Sequence, residues 1–173
     1  GNGRDFIYAP PQSPAGLGRT NTDLHWYLSF RSPYTAIVRD RVKSLADAYG
    51  ADLKIRFVLP MVMRGLPVPK AKKKYITLDT AREARRHGVD FGRVLDPVGR
   101  PVELGYSLLP WARNHGREYE YVQGWLKAVW AEGIDAGSKS GMQSIAGCCA
   151  GQYRQFSGHI YFRRVDFCPR HIM

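Results

Sequence analysis

The sequence predicts an α/β fold, and three consecutive segments near its start are the reason. Residues 25–30 form an aromatic run typical of a β-strand, residues 35–49 place apolar side chains at helical spacing, and residues 52–59 alternate apolar and polar side chains. Gly50 ends the helical segment. A strand, a helix and a strand within about 35 residues form a βαβ unit, so the two strands are expected to be parallel.

Composition divides the chain into four expected segments. They are a flexible leader rich in Gly, Pro, Ser and Asn at 1–22, the βαβ unit at 23–60, a helical insertion at 61–146 and an atypical tail at 147–173. Three helices are expected in the insertion, over residues 70–88, over 103–115 with a break near Pro110, and over 117–132. The tail lacks a clean hydrophobic period and contains all three cysteines.

Composition and charge restrict the possible partners. The chain has 173 residues, 26 Lys plus Arg and 15 Asp plus Glu, for a net charge of +11. This charge favours nucleic acid, anionic lipid, or a small carboxylate or phosphate ligand.

No apolar run reaches the ~18 residues that span a bilayer, so no membrane partner is expected. No signal peptide is visible, which predicts a cytoplasmic protein. No Cys-x-x-Cys or metal-ligand spacing occurs, so neither dithiol chemistry nor a metal site is expected.

The turn Ser32-Pro33-Tyr34-Thr35 is the candidate functional motif. Ser32 occupies the N-cap position of the predicted helix and Pro33 its first turn. One interpretation is that these residues only cap the helix. The other is that the positive helix end stabilises an anion, such as a thiolate. The turn has the spacing of Cys-x-x-Cys with both thiols replaced by hydroxyls. The thiol is therefore expected on a ligand, and glutathione is the first candidate.

The turn and several later motifs resemble the 2-hydroxychromene-2-carboxylate isomerases and the kappa-class glutathione transferases. The similarity covers residues 24–141. Its further motifs, in order, are Lys72 with Tyr75, Asp79 with Arg82, His-Gly-Val-Asp-Phe at 87–91 and Ala-Val-Trp-Ala-Glu-Gly-Ile-Asp at 128–135. The resemblance implies a thioredoxin-like, DsbA-like domain with an inserted helical domain.

The resemblance also implies an activity and its residues. It implies a glutathione-dependent isomerase or transferase, with Ser32 as the catalytic residue that holds the glutathione sulfur. Glutathione would be bound by Ser32, Pro33, Tyr34, Thr35 and Lys72. The expected substrate is a small aromatic or carboxylate compound, and a homodimer is possible.

The chain differs from this family in two places. The loop at 61–69 lacks the family's Asn, and residues 147–173 lack its Gly-Val-Pro-Thr loop with the strands and helix that follow. The C-terminal ββα part is therefore expected to be missing or altered, as in a truncated or frame-shifted member.

Two alternatives to an enzyme remain open from the residues. One is a truncated, non-catalytic thioredoxin-like binding module. The other is a basic nucleic-acid-binding domain, which the lysine run at 70–74 allows but does not favour, because only Tyr75 adjoins it as a stacking aromatic. The same run also fits a solvated helix face or an anion-attracting rim. Trp111, Trp125 and Trp130 are expected in the core or lining an apolar pocket.

Overall fold

A computed structural model describes residues 21–149 of the chain. Its first elements are strand β1 at Asp23–Leu28, helix α1 at Pro33–Ala48 and strand β2 at Asp52–Phe57. The strands pair in parallel, with Asp23 opposite Asp52 and Leu28 opposite Phe57. The predicted parallel βαβ unit is therefore confirmed. The predictions for the leader at 1–20 and for the tail at 150–173, including the altered ββα part, lie outside these residues.

A short 3₁₀ helix and five α-helices follow within the described part of the chain. They are the 3₁₀ helix Met61–Arg64, α2 at Lys70–Arg86, α3 at Arg100–Ser107, α4 at Leu109–Asn114, α5 at Glu118–Trp130 and α6 at Lys139–Cys149. The predicted break near Pro110 is confirmed, because α3 ends before Leu109 and Pro110 lies in the first turn of α4. Helix α6 continues into residues 147–149, the first three of the predicted tail. That the helices form an inserted domain stays a prediction.

The core is centred on the ring of Phe30, which directly follows β1. Trp125 stacks on this ring at 4.1 Å between centroids, and Tyr106 stacks on it at 4.8 Å. Gly105 lies against Phe30 and Trp125 so closely that an added Cβ would come within 2.8 Å of both. Trp125 and Trp130 are buried, as predicted for core residues, and Trp111 is partly buried against the core. Helices α3 and α5 thereby hold the end of β1.

The two strands place their carboxyl ends at the same edge of the sheet. Trp26, Leu28 and Ile55 are buried on the face that meets the core, and Tyr27 on the opposite face is exposed. In parallel sheets, ligands bind beside the carboxyl ends of the strands. The turn that follows β1 lies at this edge. No helix within residues 21–149 combines the length and the apolar character that crossing a membrane needs.

Candidate active site

The candidate site is the turn between β1 and α1. The Ser32 amide donates to the Ser29 carbonyl at 2.9 Å, and the Thr35 amide donates to Ser32 Oγ at 3.4 Å. Ser32 has an extended backbone and is the N-cap of α1, and Pro33 begins the helix. The predicted cap is therefore confirmed. Ser32 is partly exposed, whereas Pro33 and Thr35 are buried.

This arrangement leaves the Ser32 hydroxyl able to donate a hydrogen bond. Its oxygen accepts from Thr35, and within residues 21–149 its own proton has no acceptor. Pro33 has no amide proton and the Thr35 amide bonds Ser32 Oγ, so the Tyr34 amide is the donor left in the first turn of α1. The helix end also carries partial positive charge, and a hydroxyl donor beside it stabilises an anion that approaches from solvent.

Tyr106 stabilises the backbone that leads into the turn. Its hydroxyl accepts from the Phe30 amide at 3.1 Å and donates to the Val58 carbonyl at 2.8 Å, which joins the ends of both strands. Burial raises the pKa of Tyr106. Trp130 Nε1 donates to the Phe30 carbonyl at 3.0 Å. Sequence reasoning missed Tyr106, because it meets Phe30 only through tertiary packing across 76 positions.

A salt bridge of Arg31 and a hydrogen bond of Tyr34 to a carboxylate hold the turn from its sides. Arg31 donates to both carboxylate oxygens of Asp96 at 2.6 Å. The Tyr34 hydroxyl donates to Asp79 at 2.6 Å, and Arg82 donates to the other Asp79 oxygen at 2.8 Å. Asp79 and Arg82 come from one of the motifs that the sequence singled out. The structure brings them to Tyr34 and so ties the first turn of α1 to α2.

Lys72 is the one predicted site residue outside the turn. It is exposed on α2 and lies seven residues before Asp79. Two helical turns separate these residues, so they share a face and lie about 10 Å apart along the helix axis. Lys72 therefore lies on the same side of α2 as the contact with Tyr34, two turns towards the start of the helix. No contact joins Lys72 to the turn at 32–35 among the described interactions.

The hydrogen bond to Asp79, followed by desolvation, raises the pKa of Tyr34 from 10.0 to about 12. Desolvation, followed by the charge of Asp40, raises the pKa of Tyr119 to about 12 as well. Both phenols therefore remain protonated hydrogen-bond donors at neutral pH.

These pKa values predict a loss of stability in alkaline solution. Between pH 10.0 and about 12, the unfolded chain releases the Tyr34 and Tyr119 protons while the folded protein keeps them. The unfolded state then binds fewer protons, so the free energy of unfolding falls as pH rises. Urea midpoints across this interval test the trend. The double variant Tyr34→Phe and Tyr119→Phe should show a shallower fall than Tyr27→Phe, and equal slopes would contradict the assignment.

Within residues 21–149, no three His, Cys, Asp or Glu side chains group closely enough to hold a metal.

No family model matches the chain, and no curated protein sequence matches it. A comparison with solved structures shows a shared fold, and the predicted thioredoxin-like arrangement is consistent with this mixed α/β fold.

One such structure is that of 2-hydroxychromene-2-carboxylate isomerase. It matches with a TM-score of 0.58 and 23% sequence identity, over 75% of this chain and 66% of that chain. This likeness establishes the fold of the matched part. The chain thus spans about two thirds of the length of the isomerase that it matches.

Proposed function

We propose that the protein is a glutathione-dependent isomerase or transferase that holds the glutathione sulfur at Ser32. The observation that carries the proposal is the partly exposed Ser32 hydroxyl at the start of α1, whose proton has no acceptor among residues 21–149. The shared fold with 2-hydroxychromene-2-carboxylate isomerase supports the proposal, because that protein is named as an isomerase, the reaction class proposed here. A kappa-type conjugation is a close variant that would use the same turn.

The residues of the turn suit the binding of a thiol as an anion. Ser32 donates a hydrogen bond to the sulfur, and the Tyr34 amide at the positive start of α1 adds partial positive charge. Pro33 fixes the start of the helix, and Tyr34 is locked by Asp79. Glutathione, when bound, supplies a nucleophilic thiolate that adds reversibly to an activated double bond.

Other residues suit the rest of the ligand and an aromatic or carboxylate substrate. Phe57 and Val58 are 42% and 39% exposed. The Tyr106 hydroxyl joins the Val58 carbonyl to the Phe30 amide, so these apolar side chains lie beside the turn. We assign to Lys72, two turns of α2 before Asp79, the attraction of a glutathione carboxylate. A homodimer and a cytoplasmic location remain predictions.

Titration with glutathione, followed by tryptophan fluorescence, tests the proposal. Trp130 bonds the Phe30 carbonyl two residues from Ser32, so it reports on ligands at the turn. Saturable binding of reduced glutathione, weaker for its S-methyl derivative, is expected. Absence of binding would contradict the proposal and favour a non-catalytic module. Tight, salt-dependent binding of DNA with no effect of glutathione would favour a nucleic-acid-binding domain instead.

A further inference from the structure

The outward face of α2 combines exposed apolar side chains with exposed lysines. Tyr75 is 61% exposed and Leu78 is 56% exposed, although both are large apolar residues. They are three residues apart, so they lie side by side on the helix, and Ala71 continues the same line one turn earlier. Lys70 and Lys74 flank this line. These five residues are called the basic α2 face.

The charges of α2 are segregated along the helix, with its four lysines at 70–74 and its two acidic residues at 79 and 83. Its only acidic residues, Asp79 and Glu83, turn towards α1: Asp79 bonds Tyr34, and Glu83 lies 3.4 Å from His87, which in turn contacts Arg41 of α1. Tyr75 lies four residues before Asp79, at the edge of the basic α2 face, but no Asp or Glu lies three or four positions from Lys70 or Lys74, so no acidic side chain of α2 neutralises these two lysines. The four lysines of α2 are also in its first turns, where the helix end is already positive. Lysines at a positive helix end destabilise the helix unless an anionic partner neutralises their charge.

The same character continues into the segment before α2. Residues 61–78 include five Lys or Arg and no Asp or Glu. Two apolar side chains of this segment, Met61 and Leu66, are 40% and 43% exposed. Cationic and apolar groups are therefore both presented to solvent over 18 consecutive residues.

This combination distinguishes between the anionic partners that the net charge allows. A nucleic acid would satisfy the lysines through its phosphates, but its backbone offers no apolar surface to Leu78 or Leu66. The interface of an anionic bilayer accepts lysines among the headgroups and takes leucine and tyrosine side chains at the acyl boundary.

We infer that the basic α2 face docks the protein on the surface of an anionic lipid bilayer. The contact is peripheral and needs no spanning helix. It departs from the sequence prediction that no membrane is a partner, which relied on the lack of a spanning segment. The inference is independent of the proposed glutathione site.

Co-sedimentation of the full chain with vesicles tests the inference. The protein is expected to bind vesicles of equal parts phosphatidylserine and phosphatidylcholine, and to bind pure phosphatidylcholine at least about ten-fold more weakly. Salt should weaken the binding to anionic vesicles. The double variant Lys70→Gln and Lys74→Gln should lose about 30-fold in affinity, from about five-fold for each lysine. Replacing Tyr75 and Leu78 by Gln should lose roughly ten-fold.

The matched control is the pair Lys127→Gln and Lys139→Gln, which makes the same change in net charge on α5 and α6. It should retain most of the binding, and circular dichroism should show every variant folded. An equal loss in the control and the α2 variants would overturn the inference, because net charge alone would explain the binding. Equal affinity for both vesicle types would overturn it too. Binding of duplex DNA but not of vesicles, lost on changing Lys70 and Lys74, would assign the face to nucleic acid.

Discussion

Replacing Ser32 by Ala is expected to lower glutathione-dependent turnover by about 10²–10³-fold. The variant removes the hydroxyl donor that we propose for the thiolate, and loss of one preorganised donor to a reacting anion typically has an effect of this size. Steady-state kinetics with a thiol-dependent isomerisation or conjugation substrate gives the measurement. The variant also loses a helix cap, at a cost of about 1 kcal/mol, so its folded fraction must be measured in parallel.

Three matched variants separate the chemistry from the cap. Ser32→Thr keeps both the hydroxyl and the cap and should retain most of the activity. Ser32→Asp keeps the cap but places a negative charge where the thiolate is expected, so it should remain folded and lose activity. Ser44→Ala removes an exposed hydroxyl from the same helix and should change neither property. Full activity in Ser32→Ala or Ser32→Asp would exclude Ser32 from the reaction.

Replacing Gly105 by Ala is expected to destabilise the protein by about 1–3 kcal/mol. The new Cβ would lie 2.7 Å from Trp125 Nε1 and 2.8 Å from the Phe30 ring, so the central aromatic stack would have to move. Helix propensity alone predicts that Gly105→Ala stabilises the protein, because alanine favours a helix over glycine by about 1 kcal/mol. Urea denaturation measures the difference.

Gly147→Ala is the matched control for this prediction. Gly147 also lies in a helix, and its added Cβ would meet no atom within 4 Å. The control should therefore be neutral or slightly stabilising. If Gly105→Ala were equally neutral, the close packing of Phe30, Gly105 and Trp125 would be wrong.

Local signals in the sequence were sufficient to predict the first part of the fold and the turn. The parallel βαβ unit follows from two short strands, one helical period and Gly50. The N-cap at Ser32 follows from a hydroxyl before Pro33, although α1 begins at Pro33 and not at the predicted Thr35. Each of these features depends on residues that are close in sequence.

Features that depend on tertiary contacts could not be predicted. Helix α6 contains Gly141 and Gly147, which lower helix propensity, and it is stabilised by packing of Met142 and Ile145 into the core. Tyr106 reaches the ends of both strands through a hydroxyl whose partners are 76 and 48 residues away. Arg31 meets Asp96 across 65 residues. No periodicity or motif indicates such pairs; the ordered motifs singled out Asp79 and Arg82 but did not predict their contact with Tyr34.

The ionisation of bound glutathione tests the central claim most directly. The ultraviolet absorbance of the thiolate, titrated against pH with the protein in excess, gives the pKa of the thiol in the complex. A pKa clearly below that of free glutathione is expected for the native protein, and most of this decrease should vanish in Ser32→Ala. An unchanged thiol pKa on saturable binding would show that the start of α1 does not stabilise a sulfur anion.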